Sequence, residues 1–331
     1  MWGKGLIGRF CLLIWIVLFF NYSSRADNLS LKERWDLEKD SPMQGFQGVP
    51  PDLLTNKQIL FVSGLANEAS QIIKFYYVDN MDEVNNGLGA ESTYFGPSSF
   101  QGISFNAKNI YHAVKELYAK NNKPVVLFCH SKGGAECLYT LLEYPDLVLQ
   151  GMVDRAVIIQ GALRGSPLVS SGYAGYGLQF WAASFVLGDG YETLDPSKVS
   201  LEFDKAFQRF HRYMNNLWAE LSQDVLKAKV KNISDRVFYV RSSATPEQYG
   251  FATRMILRVL WPVSPIQEES DGLLLVKDQM FSTFGKDLGV LNVDHMGLTL
   301  SGVFTNVSSS DRRAFTRAVL SQVYQPEVVL H

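Results

Sequence analysis

Ser131 stands where an apolar run meets a helical pattern, and a hydroxyl so placed can act as a nucleophile. Pro124-Val125-Val126-Leu127-Phe128-Cys129 reads as a buried strand, and His130-Ser131-Lys132-Gly133-Gly134 leads without a linker into a helix. Strand, serine, paired glycines and helix describe a nucleophile elbow, in which a strained turn lifts the hydroxyl above the sheet. Gly133 and Gly134 are suited to it because a side chain there would collide with the strand or with an incoming acyl group. Cys129 occupies the place of the first glycine of GxSxG, a crowded site that a small thiol tolerates. The competing reading is a βα turn in which the serine only caps the helix.

A serine hydroxyl needs a base to take its proton, and the base needs an acid to orient it. Of the five histidines, His130 adjoins the serine and should point away, His112 and His211 lie on helical patterns, and His331 is the last residue. His295 follows a final strand and is the candidate base. With the order serine, acid, histidine, the acid falls between Ser131 and His295. Asp271 fits best, on a loop leading into Leu273-Leu274-Leu275-Val276, with Glu269 and Asp278 as weaker rivals and a plain Asp-Gly turn as the competing reading. Asp294 is disfavoured, since a neighbour in extended chain points the opposite way. For the oxyanion, the amide of Lys132 is one expected donor and that of Leu65, after the first strand, the other, with Ala66 as a fallback.

The elements that would hold these residues alternate. Gln58–Val62 reads as a buried strand, Phe75–Val78 as a second strand, and 84–105 as a long surface loop, after which Asn106 caps a helix. Further strands are read at 155–159, 236–240 and 289–293, and a closing helix at 309–324. Strands apolar on both faces argue a mainly parallel sheet covered by helices, with the reactive side chains on loops at the strands' carboxyl ends. Between about 165 and 235 the rhythm breaks into an aromatic stretch (Tyr173, Tyr176, Phe180, Trp181, Phe185) and one long amphipathic helix, 203–230. This insertion reads either as a cap over the site, able to touch acyl chains or a membrane surface, or as an ordinary helical layer.

With 331 residues, 47% of them apolar, 19% charged and a net charge of −2, the chain reads as globular and carries no basic tract for nucleic acid. Residues 1–26 read as a secretory signal: Lys4 and Arg9 precede the apolar run 10–20, and Ser24-Arg25-Ala26 suits cleavage. The expectation is a secreted or periplasmic protein, a single domain over 27–331, with an uncleaved N-terminal anchor as the alternative. Cleavage would also remove Cys11. Cys129 and Cys137 are expected to be small buried hydrophobes, because strand end and helix body diverge from the elbow. Asn28, Asn232 and Asn306 lie in glycosylation sequons that matter only in a glycosylating host.

Five segments together resemble the secreted bacterial lipases and esterases of the α/β-hydrolase superfamily. Phe61-Val62-Ser63-Gly64-Leu65 resembles their VHGL oxyanion segment, and His130-Ser131-Lys132-Gly133-Gly134 their HSxGG elbow. Gly161-Ala162-Leu163-Arg164-Gly165-Ser166-Pro167 is similar to the GTPHRGSP turn before the lid, Asp271-Gly272-Leu273 to DGLV, and Asp294-His295-Met296-Gly297-Leu298 to DHxxL. The resemblance implies an α/β-hydrolase fold with a helical cap and a serine ester hydrolase acting on a small-molecule or lipid ester without a cofactor. It implies Ser131 as nucleophile, His295 as base, Asp271 as acid, and Leu65 and Lys132 as oxyanion amides. Two departures stand out: Ser63 replaces the histidine before glycine, and Gly297 replaces the aspartate of calcium-binding lipases, so no metal is expected. The contrasting possibility is a silent scaffold of the same fold that binds a lipid or protein partner.

Overall fold

The computed structural model describes residues 29–42, 51–65, 68, 75–169, 193–220, 222–260, 268–302 and 305–325. The expected signal segment and the aromatic stretch of the insertion (170–192) lie outside these residues. Among the described residues six strands form one sheet: β1 Gln58–Val62, β2 Glu91–Phe95, β3 Val125–His130, β4 Val153–Ile159, β5 Val237–Ser243 and β6 Lys286–Asn292. Their order is β2-β1-β3-β4-β5-β6, and every pair is parallel. All carboxyl ends therefore meet at one edge, and β3, which delivers Ser131, lies inside the sheet.

Strand alternation divides the core in two. On one face, Leu60, Leu127 and Ile158 pack beneath α2 (Ile103–Asn121), α3 (Ser131–Glu143) and α4 (Pro196–Leu217), which contribute Ile110, Leu138, Phe203 and Phe210. On the other, Ile59, Phe61, Val126 and Phe128 meet α1 (Leu31–Asp40) and the final helix Ser309–Tyr324 through Leu31, Trp35, Phe315 and Val319. Buried ion pairs tie the final helix to α1 and to the helical segment 78–87: Arg317 to Glu38 at 2.6 Å and to Glu83 at 2.9 Å, and Arg312 to Asp79 at 2.6 Å.

Several expectations are corrected. Phe75–Val78 is not a strand: Tyr76 makes an isolated bridge to Leu300, and Val78–Asp82 is helical. The second strand is β2, inside the stretch expected to be loop. It is the sheet's edge, with Glu91 and Thr93 exposed, and an edge strand need not carry the apolar pattern of a buried one. The following helix starts at Ile103 after Gly102, and Asn106 lies buried one turn in, donating from Nδ2 to the Ser98 carbonyl at 2.8 Å and to Glu136 at 2.6 Å. The long helix of the insertion is two: α4, capped by Asp195 with proline at its start, and α5 (Gln223–Ser234), capped by Ser222. Since α4 buries Val199, Phe203, Phe210 and Met214 on the core, this half of the insertion is a helical layer.

Cys129 and Cys137 are also not independent hydrophobes. They form a disulfide, with Cα atoms 6.6 Å apart. The elbow is sharp enough to fold α3 back along β3, so residue 137, on the second turn, returns beside the strand end within bridging range. By chain-entropy reasoning so short a loop adds roughly 2–3 kcal/mol of stability. Among the described residues no helix is long and apolar enough to cross a membrane.

Candidate active site

Ser131 has φ 56°, in the left-handed region that costs an L-residue about 1–2 kcal/mol. The surroundings hold it there by close approach of backbone. A Cβ on Gly64 would lie 2.7 Å from the Ser131 Cβ, one on Gly133 would drive into the Ser63 carbonyl, and one on Gly134 would come within 2.9 Å of Ile158. The paired glycines thus let α3 start directly against β1 and β4. The Ala162 amide donates to the Ser131 carbonyl at 3.0 Å and pins the turn from the β4 side.

His295 sits three residues past β6 and reaches back to the elbow. Its Nε2 is 2.8 Å from the Ser131 Oγ, and its Nδ1 is 2.8 Å from Asp271 Oδ2. The His295 amide donates to the Asp271 carbonyl at 2.9 Å, so backbone as well as side chain joins the two loops. Asp271 is locked in turn. Its Oδ1 accepts from the Leu273 and Leu274 amides at 3.0 and 2.8 Å, a turn that Gly272 makes with φ 99°, while Gln279 Nε2 donates to Oδ2 at 3.2 Å. Such a chain lets imidazole take the hydroxyl proton while a buried carboxylate fixes its tautomer and faces the imidazolium that forms.

The rivals to Asp271 lie elsewhere. Asp294 accepts from the Gly250 amide at 2.7 Å, and burial pushes its carboxyl above the usual range. Among the described residues the carboxylate bonded to His295 is that of Asp271, not Glu269 or Asp278.

The first of the expected oxyanion loops passes directly over the serine. The Gly64 amide donates to the Tyr76 hydroxyl at 3.0 Å and is thereby engaged; Leu65 follows it in the same loop, and Ala66 lies outside the described residues. Ser63, in place of the histidine of the resembling enzymes, is held differently: the Tyr94 hydroxyl donates to its Oγ at 2.8 Å. Lys132 begins α3, and its side chain turns away into a buried ion pair with Glu136 at 2.8 Å, with Nζ also donating to the Gln101 carbonyl at 2.7 Å. Burial raises the Glu136 carboxyl above the usual range, against the pull of that lysine.

His130 carries a role that the sequence does not reveal. Its Nε2 is 2.8 Å from the His295 carbonyl and 3.1 Å from Gln160 Oε1, and its Nδ1 meets the Tyr76 hydroxyl. Two acceptors at Nε2 require the proton there, so Nδ1 accepts from Tyr76, whose oxygen accepts from Gly64. One hydrogen-bond chain therefore ties the loop over the serine to the loop bearing His295. Burial, and then the neighbouring His295, hold His130 well below the ordinary imidazole range, so it stays neutral. Tyr76, Tyr94, Gln160 and Gln279 belong to the same support and have no spacing motif that would have announced them.

An apolar wall adjoins the three residues. Ala162, Leu194, Leu273 and Leu274 form a buried cluster, against which Leu65, Leu168, Ile256 and Met296 pack. At Gly297 a Cβ would come within 2.8 Å of Val307 and 3.0 Å of Asp294, so a side chain there is excluded by packing. Among the described residues no group of three or more histidines, cysteines or carboxylates is arranged to hold a metal.

No family model and no curated protein matches the chain. Solved structures do. A metagenomic carboxyl esterase superposes with TM-score 0.57 at 22% identity, over 83% of this chain and 77% of its own. The mature form of a Bacillus licheniformis lipase superposes with TM-score 0.50 at 17% identity, over 75% of this chain and 89% of its own. The chain has the α/β-hydrolase fold. In the α/β-hydrolase arrangement the carboxyl edge of the sheet is where reacting groups gather, and here that edge carries Ser131, Asp271 and His295.

Proposed function

We propose that this α/β-hydrolase-fold chain is an exported serine hydrolase of carboxylic esters with apolar acyl groups. The observation that carries the reading is the unbroken pair of 2.8 Å contacts from Ser131 Oγ through His295 to Asp271, starting from a serine in the left-handed region. Ser131 attacks the ester carbonyl while His295 takes its proton. The Lys132 and Leu65 amides receive the oxyanion, His295 returns the proton to the leaving alcohol, and water then releases the acid by the same steps. The Leu273, Leu274 and Met296 wall favours an alkyl chain over a charged group. Export is supported by the N-terminal segment together with a disulfide, which persists in oxidising compartments.

The test is a series of p-nitrophenyl esters from acetate to laurate. Turnover should rise with acyl length in kcat/KM, by up to about tenfold for each of the first few methylenes, within the roughly 1–3 kcal/mol that one methylene in an apolar pocket is worth. No turnover of any member, in a folded protein, would overturn the reading.

A further inference from the structure

We propose that the Cys129–Cys137 disulfide is a covalent clamp on the turn that presents Ser131, so that the chain becomes a fully competent hydrolase only when the two thiols are joined. The inference rests on Ser131 being the nucleophile.

The bond closes a ring around the elbow and little else. Cys129 lies two residues before Ser131 on β3, in register with Val62 on one neighbouring strand and Ile158 on the other, and Cys137 lies six residues after it on α3. Everything between them is working backbone: His130, which reaches the His295 carbonyl; Ser131 at φ 56°; Lys132, whose amide is the expected oxyanion donor; and the two glycines of the close approach. Those glycines create the weakness that a clamp would offset. They let α3 begin against the Ser63 carbonyl and Ile158, yet glycine is the poorest helix former after proline, so the first turn of α3 has the least intrinsic stability where position matters most. Joining the second turn to the end of the strand limits how far the ring can relax towards an unstrained serine. Cys129 and Cys137 are therefore positioning residues, acting through Ser131 and Lys132.

Both cysteines are wholly buried in the core shared by β3, α2 and α3. The bond must form before that core closes and is afterwards out of reach of dissolved thiols. Its formation balances with a small or protein disulfide as oxidant. One cysteine thiolate attacks the donor disulfide and releases one thiol, and the second then attacks the mixed disulfide and releases the other. The chain gains one S–S bond, the donor loses one, and the two cysteine protons end on the two thiols.

The test compares oxidised wild type with Cys129→Ala, Cys137→Ala and the double variant, each confirmed folded by circular dichroism. Readouts are kcat and KM on a p-nitrophenyl ester and the rate of labelling by a fluorophosphonate. The clamp predicts that kcat and labelling fall about 10- to 100-fold with KM within twofold, a loss expected of small misplacements of reacting groups. It also predicts that either single variant loses as much as the double, since each removes the same bond. A double variant with kcat within twofold of wild type, and only a lower Tm, would overturn it. Should the variants fail to fold, wild type decides: it is unfolded and refolded with its thiols kept reduced, assayed, then unfolded again and refolded in oxidised glutathione, which meets both thiols before the core closes. Activity that returns as two thiols disappear supports the clamp, and full activity before oxidation overturns it. If oxidised wild type itself neither turns over nor labels, the assignment of Ser131 falls, and the clamp with it.

Discussion

Ser131→Ala is expected to lower kcat on a p-nitrophenyl ester by about 10⁵- to 10⁶-fold, the scale on which loss of a triad nucleophile has been found to act. The fold should survive the change. Ser131 is buried, and among the described residues its side chain bonds to His295, so removing an oxygen opens little space and leaves the imidazole tied to Asp271 at 2.8 Å. Alanine remains a β-carbon residue at φ 56°, so the strain at the elbow neither grows nor relaxes. Substrate affinity should be nearly unchanged, because the apolar wall of Leu273, Leu274 and Met296 is untouched. Matching melting curves with lost turnover would separate chemistry from stability, and a variant retaining even a hundredth of wild-type kcat would place the nucleophile elsewhere.

Asp271→Asn should reduce kcat by roughly 10⁴-fold, the loss expected when the histidine is held in the wrong tautomer. The surroundings dictate how the amide would sit. Oδ1 is held by two amide donors, Leu273 and Leu274, at 3.0 and 2.8 Å, so an asparagine keeps its carbonyl oxygen there and turns its NH2 towards His295. Nδ1 of the imidazole must then accept, the proton moves to Nε2, and Nε2 faces the serine as a donor that cannot take the hydroxyl proton. Gln279, which donates to Oδ2 at 3.2 Å, would meet a second donor and add to the mismatch. The effect should lie in kcat with KM little changed, and partial recovery at high pH, where hydroxide can deprotonate the donor network, would fit the same cause. A loss below tenfold would show that another carboxylate orients His295.

The elbow is legible in sequence because its signals are local: an apolar strand, a serine, two glycines and a helix, all within residues 125–143. The loops carrying Asp271 and His295 are legible for a related reason, since each follows the sheet's rhythm and the expected acid and base each have a narrow chemical requirement. What escapes is long-range. β2 is hidden because an edge strand with a solvated side needs no apolar run. The disulfide escapes because whether α3 folds back along β3 depends on how tightly Gly133 and Gly134 pack on other strands, which spacing does not encode. His130 is adjacent to the serine and so invites dismissal. Its value comes from Tyr76 and the His295 carbonyl, 54 and 165 residues away in the chain. The split of the insertion into α4 and α5 turns on Ser222 as a second cap, a signal that a continuous amphipathic pattern conceals.

The most direct measurement is covalent labelling of the oxidised protein by a fluorophosphonate, with the adduct located by peptide mass spectrometry. The account predicts a single adduct at Ser131, abolished in Ser131→Ala and slowed in Asp271→Asn. An unlabelled protein, or an adduct on any other residue, would contradict it.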